Sequence, residues 1–220
     1  MINHTETAAE TSRRRAGLRG SVDFTMMYVA HDAFNRDMTR LVDAAARGRG
    51  FEPPAVATWR TFSRQLHTHH TAEDTALWPK LYEVVNGDET AVLAAMEAEH
   101  ATIDPRLERV DAAIDEHNGP VLLAELRSLS TELSQHMRHE EEAALPLLER
   151  RLGAAGWEAF TAEIRQRVGG IRGGAQYLPW VLDGAAPAAR RSVLKALPPP
   201  ARLLLRTVWE PRYQKSPRLT

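Results

Sequence analysis

The chain has 220 residues, 43% hydrophobic and 26% charged, a globular composition that fits one or two domains. It contains no cysteine, which excludes disulfides, thiolate zinc sites and iron–sulfur clusters, so any bound metal must rest on histidine and carboxylate. The net charge of −1 conceals an acidic middle between an arginine-rich start and a basic tail, where eight Lys/Arg in residues 185–220 face only Glu210.

Residues 1–20 are polar, basic and aperiodic, and predict a disordered arm. Helical spacing of apolar groups begins at 22–48, with Phe24, Met27, His31, Phe34, Met38 and Leu41 on one stripe. After the Gly48 to Pro54 break, a second helix over about 55–84 carries Phe62, Leu66, His69, Glu73, Leu77 and Leu81. A third, over about 89–116, carries Val92, Met96, His100, Ile103, Leu107 and Val110, and a fourth, over about 121–151, carries Leu126, Leu129, Leu133, His136, Glu140 and Leu147. Short breaks between long amphipathic helices predict an all-α, up-down-up-down four-helix bundle over 21–152. The remaining 153–220 predict a C-terminal short-helix extension with a basic tail: a fifth helix at 154–167, a flexible glycine hinge at 169–174, then helices packing on the bundle or on a second subunit. No run of about 18 apolar residues occurs, and the N-terminus lacks a charged-then-apolar leader. The expectation is a cytoplasmic protein with no transmembrane segment and no clear nucleic-acid partner.

Two segments 67 positions apart match each other. His69-x-x-x-Glu73-Asp recurs as His136-x-x-x-Glu140-Glu, each with a proline six residues after the glutamate and a leucine three before the histidine. Positions i and i+4 share a helix face, so each segment aims an imidazole and a carboxylate at one place. His31 and His100 lie on the stripes of the other two helices. The metal-site inventory is His31, His69, Glu73, His100, His136 and Glu140, too many groups for one tetrahedral zinc ion and suited to two divalent ions bridged by the carboxylates. Burying two carboxylates and four imidazoles without a metal costs several kcal/mol. A ferritin-like site is disfavoured because only one Glu-x-x-His, Glu97 to His100, lies on these stripes. No zincin His-Glu-x-x-His occurs, since Ala143 follows His139-Glu140-Glu-Glu.

The set His31, His69-x-x-x-Glu73, His100, His136-x-x-x-Glu140 resembles the bacterial hemerythrin-like, HHE cation-binding domain. The resemblance implies two iron ions, carboxylate- and oxo/hydroxo-bridged, with zinc or manganese as alternatives; the four histidines would be terminal ligands and Glu73 and Glu140 bridges. It also implies a small diatomic or peroxide ligand, a role in oxidative or nitrosative stress, and a peroxide-disproportionating or nitric-oxide peroxidase-type activity. A non-catalytic oxygen, nitric oxide or iron binding or sensing protein is the alternative, and a homodimer is compatible with either. Oxygen-carrying hemerythrins have a further histidine where this chain has Asp104 followed by Pro105, which predicts an imidazole that is missing or replaced by the Asp104 carboxylate, and a kink.

Other candidates are placed behind the ligands or on the surface. His70 and Asp74 lie about 100° round the helix from the ligand pair. Glu141 would replace Glu140 only in a locally overwound helix, and His139 is expected behind the site. Tyr28, one turn before His31, could place a phenol near the metals as an auxiliary to catalysis. His4, His67 and His117 are expected in loops or on the surface.

Overall fold

The computed structural model describes residues 8–18 and 20–220, and among these the secondary structure is helical throughout. Four long rods form the bundle: α2 (Thr25–Ala46), α3 (Pro53–Ala72) continued by α4 (Trp78–Tyr82), α5 (Asp88–Asp115), and α6 (Gly119–His139) continued by α7 (Leu145–Arg151). Each start is set by local chemistry. Pro53 and Pro54 occupy the first turn of α3, where their missing N–H groups have no helical partner to lose. The Asn118 side chain accepts from Val121 N–H to cap α6, with Pro120 again in the first turn. In the ring of neighbours α2 packs on α3 and α6, and α5 packs on the same two.

A polar layer divides the core. The second apolar cluster contains Met27, Ala72, Met96 and Ala144, and the first contains Phe34, Leu66, Ile103 and Leu133. Between them on each rod lie the buried or nearly buried His31, His69, His100 and His136. Thus α2 and α5 cross the layer in one sense, and α3 and α6 in the other. Apolar packing above and below clamps the histidines, which is what fixes the geometry of a site in a bundle interior.

Two π turns interrupt the rods at matching places, Glu73–Leu77 and Glu140–Ala144. In each, the backbone N–H five residues on, that of Trp78 or Leu145, reaches the carbonyl of the glutamate. The cause lies one residue further. Pro79 and Pro146 lack an N–H, and their rings press on the carbonyl four residues back in a regular helix. Widening the preceding turn relieves that pressure. By contrast α5 runs as one α-helix through Pro105.

The remaining elements are α1 (Ala8–Gly17), α8 (Gly153–Arg167), α9 (Gly170–Leu182), α10 (Pro187–Ala196), α11 (Pro199–Leu204), a π turn over Leu205–Trp209, and α12 (Glu210–Lys215). Two expectations change here. Residues 8–17 are helical, not a disordered arm; the rest of that arm, 1–7 and 19, lies outside the described residues. The glycine-rich 170–174 stretch is the first turn of α9, not a hinge, and Gly173 is required there because a Cβ would collide with the Val168 carbonyl. The extension packs on the bundle. Trp180, Val181, Leu182, Val193, Leu205 and Trp209 join the first cluster, and the Trp180 indole donates to buried Asp37 at 2.6 Å. No helix among the described residues is long and apolar enough to cross a membrane.

Candidate metal centre

Every expected ligand lies in the polar layer. His31, Glu73 and Glu140 are 0% exposed, and His100 and His136 are 2% exposed. His31 Nε2 lies 3.0 Å from Glu140 Oε2. Glu73 stands between the histidines of two sides: its Oε1 is 3.1 Å from His69 Nε2 and its Oε2 is 3.6 Å from His100 Nε2. Two groups of donor atoms emerge, His31/His69/Glu140 and His70/His100/His136, with the atoms of each group within 4.8 Å of one another.

His70 is the surprise. It was expected behind the ligands or on the surface, yet it is 2% exposed and stacks on His100 with ring centroids 4.0 Å apart. Adjacent residues on a helix point about 100° apart, and the interior-facing sector of a bundle helix is about that wide. His69 takes the edge nearest α2, its ring 5.6 Å from His31, while His70 takes the edge nearest α5. A fifth imidazole is therefore present, supplied by α3. Asp104, at the place of the histidine expected to be missing, has a half-exposed side chain 3.7 Å from His70 Nδ1 and is outside both donor groups.

Three imidazoles are held from behind by carboxylates. His31 Nδ1 is 2.8 Å from Glu141, His100 Nδ1 is 2.7 Å from Asp74, and His136 Nδ1 is 2.8 Å from Glu99. This support fixes the ring and leaves Nε2 as the donor facing the layer. Asp74 thus sits behind His100, as expected. Glu141 backs His31 from the side away from Glu140, so the alternative in which it replaces Glu140 is not supported by the geometry. His139 shares Glu99 with His136 from a partly exposed position. Glu99 was missed because, one residue before His100, it looks like surface; the signal was that a residue beside a ligand can reach the neighbouring helix.

The electrostatics of the metal-free layer are unfavourable. Glu73 is pushed well above the carboxylate range by burial, then by the charges of Glu140 and Asp74. Burial lowers His69 to about 3, with positive neighbours adding to the effect, and lowers His70 well below the usual imidazole value. For His31 burial opposes the charge, but Glu140 and Glu141 prevail and raise it to about 9. Both oxygens of Glu73 and Glu140, and Nε2 of His31, His69 and His70, have no hydrogen-bond partner. Moreover, His100 Nε2 and His136 Nε2 are 3.2 Å apart with both Nδ1 atoms engaged by carboxylates. Two such lone pairs tolerate this approach only by sharing a proton or a cation. Orphaned donors at these positions fit divalent metal ions.

The family model for the hemerythrin HHE cation binding domain matches residues 22–148, more than half of the chain. The chain belongs to the hemerythrin HHE family. No curated protein and no solved structure matches it. This hemerythrin domain is helical and carries histidine and glutamate groups able to hold a metal. Tyr28, considered as an auxiliary phenol, is half-buried with the Arg15 guanidinium 4.7 Å from its ring centroid, which places it with α1 on the outer side of His31. His67 and His117 are exposed as expected, and His4 lies outside the described residues.

Metal loading of this centre is expected to release protons. His31 is raised to about 9 from 6.5, so its contribution to stability is complete below pH 6.5 and is lost as pH rises through about 9. A metal taking Nε2 must displace that proton, so apparent affinity rises with pH up to about 9. Titration calorimetry at pH 7 in buffers of different ionisation enthalpy measures the release; equal heats in all buffers would exclude His31 as a ligand.

Proposed function

We propose that the chain is a non-haem di-iron protein that reacts with hydrogen peroxide, nitric oxide or dioxygen in the polar layer. The observation that carries this reading is the pairing of two donor groups, His31/His69/Glu140 and His70/His100/His136, across the buried Glu73. Glu73 and Glu140 would bridge, and the five imidazoles would be terminal. Iron, when bound, supplies electrons by cycling between the ferrous and ferric states.

The chain's own residues supply the rest. Phe34 and Leu66 on one side, and Met27, Met96 and Ala144 on the other, exclude water from the layer. Asp74, Glu99 and Glu141 hold the three backed rings in one orientation. The donor set is unequal: three imidazoles on one side and two on the other. The His31/His69 side, with fewer imidazoles, is the side suited to a small ligand. His69 is also the most open of the five, its side chain 9% exposed against 1–3% for His31, His70, His100 and His136.

The test is the iron-to-protein ratio of the native chain from iron-replete cells, followed by peroxide and nitric oxide kinetics. A pair of irons per chain with turnover supports the proposal; bound iron without turnover moves it to the sensing or storage class. Zinc alone, or no metal, removes the redox reading. Within the same series, His70→Ala is expected to weaken one metal equivalent about 100-fold while sparing the other, read by cobalt titration. Unchanged binding of both would return His70 to a packing role.

A further inference from the structure

Among the three backed histidines, His31 differs in the burial of its carboxylate. Asp74 and Glu99, behind His100 and His136, are 37% and 32% exposed, so water stabilises their charge. Glu141, behind His31, is 1% exposed. A buried carboxylate needs a counter-charge in good geometry, or it is strongly destabilising. The counter-charge comes from outside the bundle. Arg15 grips Glu141 with both arms, Nε to Oε2 at 3.0 Å and Nη2 to Oε1 at 2.7 Å. Arg14 Nη1 donates to Oε2 at 2.8 Å. Arg15 also reaches Asp32 at 2.8 Å and lies over the Tyr28 ring.

Both arginines stand on α1, whose attachment is unlike that of the other helices. Among its described side chains none belongs to either apolar cluster or is among the groups packed against one. The ion pairs that α1 makes with the bundle include Arg15 with Glu141 and Asp32, and Arg14 with Glu141 and Glu142. They converge on the one carboxylate that backs His31. An N-terminal helix that adds no apolar area, but delivers two guanidiniums to a single buried acid, fits a role in setting that acid rather than in building the core.

We propose that Arg14 and Arg15 are positioning residues of the metal centre. They act through Glu141, holding it where it accepts a hydrogen bond from His31 Nδ1–H and so leaves His31 Nε2 as the donor for a metal at the His31/His69/Glu140 group. The inference rests on the metal-centre reading above and adds that α1 is part of the site. It predicts an effect confined to one metal equivalent. The guanidiniums orient a carboxylate that orients an imidazole of the His31/His69/Glu140 group.

The experiment is a cobalt(II) titration of the full chain, following the visible band of each equivalent, with Arg15→Met, Arg14→Met/Arg15→Met, Arg15→Lys and Glu141→Gln. Removing an outer support of a metal-bound histidine typically costs about 10–100-fold in affinity. The arginine variants are therefore expected to weaken one equivalent about tenfold or more, shift its band, and leave the other untouched. Arg15→Lys restores charge but not the two-armed grip, and is expected to fall between wild type and Arg15→Met. In the Glu141→Gln background the arginine changes are expected to add less than about twofold, because they act through the acid already lost. A helix that serves only as structure would behave otherwise: melting would drop in the metal-free protein and both equivalents would weaken together, or neither would. Either pattern overturns the proposal, as would full additivity with Glu141→Gln. If the wild-type chain takes up no cobalt, the metal-centre reading fails first and this inference falls with it.

Discussion

Glu73→Ala is expected to remove about half or more of the bound metal and to lower any peroxide or nitric oxide turnover in proportion. The carboxylate is fully buried, has no hydrogen-bond partner on either oxygen, and presents one oxygen to His69 and the other to His100. An alanine there removes the carboxylate that faces both donor groups. Affinity for the more weakly held ion is expected to fall at least about 100-fold. His136→Ala is expected to do the same on one side, and also to leave Glu99 with only the His139 imidazole of the two it now holds. The folded state should survive both changes, because apolar clusters lie on either face of the layer. Elemental analysis beside turnover is the check. Full occupancy and full activity in either variant would falsify the assignment.

Chelation of the metal is expected to lower the melting temperature substantially. A ligand that binds only the native state at about 1,000 times its dissociation constant stabilises it by about 4 kcal/mol. For a chain of this size each kcal/mol moves the midpoint by about 2–4 °C. A loss of roughly 8–16 °C is therefore expected in calorimetry with and without chelator. Its physical origin is the layer without metal: Glu73 is pushed up and His69 and His70 are pushed down, each shifted first by burial. An unchanged midpoint would mean that the layer is satisfied without metal, leaving a structural bundle that takes up ions incidentally.

The bundle was readable because its helices are long, their apolar stripes regular and their breaks short. The ligands were readable because His69/Glu73 and His136/Glu140 repeat the same spacing, and His31 and His100 fall on stripes otherwise occupied by Met, Phe and Leu. What escaped the sequence was everything that depends on the width of a helix face or on another element. A one-dimensional stripe assigns His70 to the wrong side, although a sector of about 100° admits both members of a His-His pair. Glu99 and Glu141 back their histidines across helix boundaries, His136 on α6 from α5 and His31 on α2 from the π turn after α6. No local pattern encodes such pairings. The arginines of α1 escaped for a different reason. Polar, aperiodic composition predicts no packed core, correctly, but says nothing about a helix held by ionic contacts.

The π turns carry a lesson about inference inside a single chain. A third one, Leu205–Trp209, lies in the C-terminal extension, and it too is followed by a proline, Pro211, six residues after its first residue. Both donor groups lie elsewhere, so this copy serves as a built-in control. Proline is permissive here and not compulsory, since Pro105 and Pro179 sit inside α-helices with no π turn. The distorted turn is therefore a generic backbone solution that occurs three times among the described residues, twice beside the groups able to hold a metal. Its diagnostic value comes from the residue that opens it: glutamate at 73 and 140, leucine at 205. A Leu205→Glu variant would then be expected to acquire a buried, unsatisfied acid and no ion, because the imidazoles that give such an acid its purpose are not there.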